Sequence, residues 1–279
     1  MRTTIIAAAM IMVGCASTEE AVGESAAALQ VGEMIVYEPG HPVPQDELTD
    51  LGSPKALGGT VLEGDPHIFA RIDYAEGALL GGVFQSTRGK GLIHFPFTEH
   101  ATILVGEVAM TDEEGHHYVL KPGDSYLVRQ GSNIVWDVKG ARVQKSFLDR
   151  TEAADAPGPM IVYRKGSVAA DGDLVDLGSP AALGGTVLAG DPHVSVRIDY
   201  ANEGVTAGVF QGTRGVALVH YPFTEHATVL RGEFTLTDET GQTHRFHAGD
   251  SYLIRQDSDV RWEVRGKRVQ KSFLNFTQP

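Results

Sequence analysis

Only one cysteine stands in the 279 residues, at position 15, so no disulfide can form within the chain and the fold must rest on its core and its hydrogen bonds. No apolar run reaches the roughly eighteen residues that a membrane-spanning helix needs, and the one that suggests a membrane element, Ile5 to Gly14, falls well short. Lysine and arginine are scarce beside the acids, 23 against 36, and they never cluster. The resulting net charge of -13 repels phosphate backbones, so nucleic acid is not an expected partner. Tryptophan occurs twice, and beyond the first fifteen residues no long window carries a helical period, which removes bundles and coiled coils. What the chain has in quantity is glycine, 33 residues, with 13 prolines, spread singly among Val, Ile, Leu, Phe and Thr. That is the pattern of many short strands joined by turns.

Arg2 followed by the apolar Ile5–Gly14 stretch reads as a signal peptide over residues 1–15. It ends in Met12-Val13-Gly14-Cys15, which resembles the lipobox of bacterial lipoproteins, with Cys15 as the lipidation site and Met12 where leucine is usual. The resemblance implies an exported chain anchored by lipid to the cell envelope, and Ala16 after the cysteine favours the outer membrane of a Gram-negative cell. A plain secretory signal cut a few residues later is the alternative. Residues 16–33, rich in Ala, Glu, Ser and Gly, read as a flexible tether.

Slid against itself by 126 residues, the chain aligns Met34-Ile-Val-Tyr37 with Met160-Ile-Val-Tyr163 and holds register without a gap to Phe147-Leu148 and Phe273-Leu274. More than half of the aligned positions are identical. So long a period means two whole domains, 34–150 and 160–279, joined by a Pro/Gly-punctuated linker over 151–159. Identity this high makes the mere reappearance of a residue only mild support for its use.

Within the first copy, Ile68–Tyr74, Leu92–Phe95, Thr102–Met110, His117–Leu120, Ser125–Val128 and Val135–Val138 are rich in β-branched and aromatic residues. Asp112-Glu-Glu-Gly115 supplies a hairpin tip and Lys121-Pro-Gly-Asp124 another turn. Arg71 and Asp73, repeated as Arg197 and Asp199, share one strand face and are expected to pair. Antiparallel strands in a domain of this size must close on themselves or stack as a sandwich to hide their edges. Glu99 is followed by Gly106-Glu107, the Thr111–Gly115 hairpin, Pro122-Gly-Asp124, Gly131, Trp136-Asp-Val138 and Arg142-Val-Gln-Lys145. The second copy repeats this as Glu225, Gly232-Glu233, Thr237–Gly241, Gly249-Asp250, Trp262-Glu-Val264 and Arg268-Val-Gln-Lys271. The set resembles the cupin superfamily, in particular the (S)-ureidoglycine aminohydrolase and ethanolamine-utilisation cupins. The fold it implies is all-β, two tandem double-stranded β-helix (jelly-roll) barrels, hence a bicupin.

The resemblance also implies a place where a divalent metal (Mn, Zn or Fe) is held by two histidines two apart, a glutamate and a later histidine. Here those positions read Leu92, His94, Glu99 and Ile134, and in the second copy Leu218, His220, Glu225 and Val260. Two of four are apolar in each half, so a bound metal and none stand level. His94, Glu99 and His100, with His220, Glu225 and His226, are the candidate metal ligands. His100 follows Glu99 directly and would face the other side of an extended strand, entering the lumen only through a bend at Pro96. His94 reads equally as a core imidazole hydrogen-bonded to Glu99. Gln85, Arg129, Gln211 and Arg255 are polar residues beside apolar strands that could bind a polar or anionic ligand, or simply satisfy barrel edges. Three readings stay open: a small polar metabolite bound in the lumens, a metal-dependent hydrolase or aminohydrolase-like enzyme, and a structural or interaction module. The partners expected are a small-molecule ligand and the membrane, through the lipid anchor, with a homodimer left open.

Overall fold

The computed structural model describes residues 32–151 and 156–277. The expected signal peptide with Cys15, nearly all of the expected 16–33 tether and residues 152–155 of the expected linker lie outside the described residues. The described chain is built of strands and short 3-10 turns, arranged as two ten-stranded antiparallel sheets, each wrapped into a barrel. In the first, the order is Ile161–Tyr163, Ser125–Val128, Thr98–Val105, Asn133–Arg150, Leu79–His94, Ile68–Glu76, Thr49–Gly52. Thr60–Gly64 and the Val108–Thr111/His117–Leu120 hairpin pair off this path. The second sheet repeats the plan with residues 126 further on.

The first strand of each half is exchanged. Ile35–Tyr37 pairs with Ser251–Ile254 of the second barrel, and Ile161–Tyr163 pairs with Ser125–Val128 of the first. The Tyr37 hydroxyl then reaches back to its own half, donating to Asp73 Oδ2 at 3.0 Å, while Asp73 Oδ1 takes Arg71 Nε at 2.7 Å. Arg197 and Asp199 form the same pair at 2.7 Å. The amides of Gln144 and Gln270 clamp the two incoming segments, each bonding both backbone groups of Val43 and Ala169 respectively.

Two strands, Leu79–His94 and Asn133–Arg150, form the spine of the first barrel and pair along almost their whole length, with a register shift between Val138 and Arg142. The bend there needs Gly89, at φ +149°, where an added Cβ would lie 2.8 Å from the Pro66 ring. The expected Thr102–Met110 strand divides into Thr98–Val105 and Val108–Thr111 at Gly106, whose Cβ position lies 2.1 Å from the Arg142 carbonyl.

Strand alternation then assigns the faces. Along Thr98–Val105, Ala101 and Ile103 join the core of the first barrel with Tyr126, Ile134, Trp136 and Phe147, while Leu104 joins a cluster between the barrels with Leu127, Leu148, Leu253 and Leu274. On that outward face His100 Nδ1 meets His226 Nδ1 at 2.8 Å. The other ring nitrogens meet Ser272 Oγ at 3.2 Å and Ser146 Oγ at 3.1 Å. Ser125–Ser272 at 2.7 Å, Ser146–Ser251 at 2.9 Å and Thr102–Thr228 at 2.5 Å complete a buried polar seam about a local twofold axis.

The candidate site in the barrel lumens

The inward positions of Asn133–Arg150 include Lys145, Phe147 and Asp149, two apart on one strand face. Asp149 lies directly opposite Glu99 in the ladder to Thr98–Val105. Glu99, 2% exposed, accepts from the Tyr126 hydroxyl at 2.7 Å through Oε1 and from the Lys145 ammonium through Oε2. That ammonium is enclosed by five rings, Phe84, Phe95, Tyr126, Trp136 and Phe147, with centroids 5.1 to 5.9 Å away. One cation faces two carboxyls, so they cannot both ionise cheaply. Burial, then the Glu99 charge, pushes the Asp149 carboxyl well above the usual carboxylate range, with Lys145 opposing. The Lys145–Glu99 pair thus stands beside an acid whose neutral form burial favours.

The second barrel repeats Glu225, Tyr252 and Lys271: Tyr252 donates to Glu225 at 2.9 Å, and the Lys271 ammonium bonds Glu225 and, at 2.8 Å, the Tyr252 oxygen. Asn275 stands where the first barrel has Asp149. Asparagine is the uncharged isostere of the acid form that burial favours at Asp149. Burial lowers the Lys271 ammonium below its usual range, against the pull of Glu225. A second difference is Phe95 against Tyr221. The Tyr221 oxygen accepts from Trp262 Nε1 at 2.9 Å, whereas Phe95 can offer nothing and the buried Nε1 of Trp136 has no acceptor. Asp149 Oδ1 and Asn275 Oδ1 are likewise buried without a donor.

Each of these constellations lines a cavity, about 140 Å³ in the first barrel and about 410 Å³ in the second. The walls are otherwise mostly apolar, with Leu80, Ile93 and Phe147 in one and Val196, Val219 and Phe273 in the other. His94 and His220 line the cavities and are exposed, so both spaces reach the surface.

His94 Nδ1 contacts Asn133 Oδ1 at 3.1 Å, and His220 Nδ1 contacts Asp259 at 3.0 Å; neither histidine has Glu99 or Glu225 among its hydrogen-bond partners. His100 and His226 lie on the far side of their strands, because Thr98–Val105 and Thr224–Arg231 are extended from their first residues and alternation sends the glutamate inward and the next residue outward. Gln85 and Gln211 sit in the amide clamps with Gln144 and Gln270, while Arg129 stacks on Tyr200 and Arg255 pairs with Glu76 at the barrel junction. These four do not line the cavities. Nor does the donor set suit a divalent ion. Each lumen glutamate is taken up by an ammonium and a tyrosine, a lysine charge stands where a cation would have to sit, and Leu92 and Ile134 offer no donor. Among the described residues no three of His, Cys, Asp and Glu gather as a ligand set.

The model of the EutQ-like cupin domain matches twice, over residues 75–147 and 201–273, spanning in each copy the strands that carry Glu99, Lys145 and their counterparts. This chain is a cupin. The two matches in tandem make it a bicupin, and the two barrels agree. A protein of unknown function from Pseudomonas syringae pv. tomato is similar in structure with a TM-score of 0.66 at 15% identity, covering 88% of this bicupin and 99% of its own chain. A cupin 2 conserved barrel domain protein from Leptotrichia buccalis gives 0.50 at 9% identity, over 75% and 89%. Both likenesses speak to the fold. No curated protein matches the sequence.

Lys145, Tyr126 and Asp149 were not singled out as site residues by the sequence. Their signal was present: Lys145, Phe147 and Asp149 alternate with Ser146 and Leu148, which places two charged groups on one face of an otherwise apolar strand.

Proposed function

We propose that this bicupin binds small polar molecules in its lumens. The observation that carries this reading is the pair of buried groups left without partners on the wall of the first cavity, the donor Trp136 Nε1–H and the acceptor Asp149 Oδ1. Buried polar groups are normally satisfied, and leaving one unpaired costs about 1 to 3 kcal/mol, so a ligand carrying both an acceptor and a donor would recover that cost. Amides, ureido compounds and carboxylic acids have both within a few atoms. A space of about 140 Å³ takes a molecule near the size of benzene. The metal-dependent, aminohydrolase-like alternative calls for a divalent ion held by the lumen residues to polarise a carbonyl or activate water, and the lysine-paired, tyrosine-bonded glutamates do not suit one. A purely structural role would favour filled lumens, and these contain cavities. Titration calorimetry against small carboxylic acids, amides and ureido compounds tests the reading. Binding is expected, weakened at least tenfold by Trp136→Phe in barrel one; no heat with any of the three classes at millimolar ligand would overturn it.

We further propose that the chain is exported and lipid-anchored through Cys15. Support comes from the Met12–Cys15 pattern behind an apolar stretch. Labelled palmitate should enter the wild-type chain and not the Cys15→Ser variant when expressed in a Gram-negative host; equal labelling of both, or of neither, rejects the anchor.

A further inference from the structure

The second lumen holds an amine in unusual company. Lys271 Nζ lies 4.9 Å from the centroid of Trp262, 5.1 Å from Phe210 and 5.4 Å from Tyr252, and its side chain is 3% exposed. Its hydrogen bonds go to Glu225 and Tyr252, and it faces the cavity of about 410 Å³ that opens past His220. Three features separate this lysine from Lys145. The cavity is larger; only one carboxyl, Glu225, holds the ammonium, since Asn275 replaces Asp149; and Tyr221 adds a hydroxyl to the cavity wall where the first barrel has Phe95. The Tyr221 oxygen accepts from Trp262 Nε1, and its hydroxyl is hydrogen-bonded to Glu225, the carboxylate that also holds the Lys271 ammonium, and to Tyr252.

We propose that the second barrel binds small aldehydes and ketones covalently, as an imine on Lys271. The inference goes beyond reversible binding and rests on second-barrel residues alone. The ammonium passes one proton to Glu225, which between two side chains each 3% exposed turns an ion pair into a neutral amine and acid. Low dielectric favours that exchange, in keeping with the lowered Lys271 ammonium. The amine nitrogen adds to the carbonyl carbon while the Tyr221 hydroxyl, released from Glu225 once that carboxylate is protonated, turns to the carbonyl oxygen; one proton then passes from the added nitrogen to that oxygen, giving a carbinolamine. The resulting carbinolamine hydroxyl departs with a proton from Glu225 as water, leaving a protonated imine beside the Glu225 carboxylate. One C=O bond is lost, one C=N bond forms, one water leaves, and nothing is oxidised or reduced. The charge on nitrogen is the same before and after, so the aromatic enclosure that accepted the ammonium also accepts the iminium.

The test uses the full chain with propanal at neutral pH, sodium cyanoborohydride to trap the imine, and peptide mapping of the propylated lysines over time. Propylation at Lys271 at least tenfold faster than at the exposed Lys55, Lys121 or Lys139 is expected, and it should slow at least tenfold in Tyr221→Phe, which makes the second barrel resemble the first. Because the comparison is between lysines of the unaltered protein, it does not depend on a variant folding. Labelling of the exposed lysines as fast as Lys271, or no label at Lys271, overturns the proposal.

Discussion

The charged centre of each lumen is built from residue types that rarely go below the surface, and the reason they can is mutual. Lys145 gives Glu99 a counter-charge, Tyr126 takes its second oxygen, and five aromatic faces replace the water an ammonium would otherwise hold. Such a pair is hardly stronger than well-packed apolar side chains, yet breaking it is costly because the survivor stays buried and charged. Lys145→Met should therefore lower stability in urea by about 3 to 5 kcal/mol, since it strands the Glu99 carboxylate opposite Asp149. Lys145→Met combined with Glu99→Gln should recover most of that loss, because no net charge is left below the surface. If the double variant is as unstable as the single one, the energetics lie in packing rather than in the pair, and the picture of a coupled ionic centre fails.

At the level of strands, what the sequence made legible was set by local chemistry. His117–Leu120 and Ser125–Val128 begin and end where their turns dictate, because Gly115 and Gly123 adopt the positive φ that closes each loop. The spine strands were legible only in fragments, Leu92–Phe95 and Val135–Val138, since glycines such as Gly81, Gly82, Gly89 and Gly91 read as breaks. In the barrel they serve instead as bends and close contacts; a Cβ on Gly82 would lie 2.0 Å from the Arg71 carbonyl. Pairing across the halves was not legible at all. Met-Ile-Val-Tyr is the same in both copies and fits either barrel, so only the path of the chain decides that Ile35–Tyr37 completes the second one. The glutamates could be placed inside and the next histidines outside from the alternation alone. The partners of each glutamate could not, because Lys145 and Tyr126 lie 46 and 27 residues away on other strands.

The two barrels meet through a seam that couples their folding to pH. His100 and His226 are fully buried and bonded Nδ1 to Nδ1, which requires one ring to donate and the other to accept and so excludes a charge on both rings at once. Burial lowers His100 to about 3, and burial together with the neighbouring His100 and Lys145 lowers His226 well below its usual range. The unfolded chain binds protons at these rings below about pH 6.5, whereas the folded chain does not until His100 reaches about 3. Stability is thus fully present above that upper value and falls as pH drops toward the lower one, by up to about 1.4 kcal/mol per pH unit for each ring. Asp149, raised in the fold, acts with the opposite sign: its native form binds the extra proton, so it offsets part of the loss as pH falls. Unfolding in urea from pH 8 to pH 4.5 should show this decline in the wild type, and Asp149→Asn should steepen it. His100→Asn combined with His226→Asn should flatten it, even where the variant is less stable at pH 8, because slope rather than absolute stability reads the protons. A double variant that loses stability with acid as steeply as the wild type would place the protons elsewhere and leave the seam a matter of packing alone.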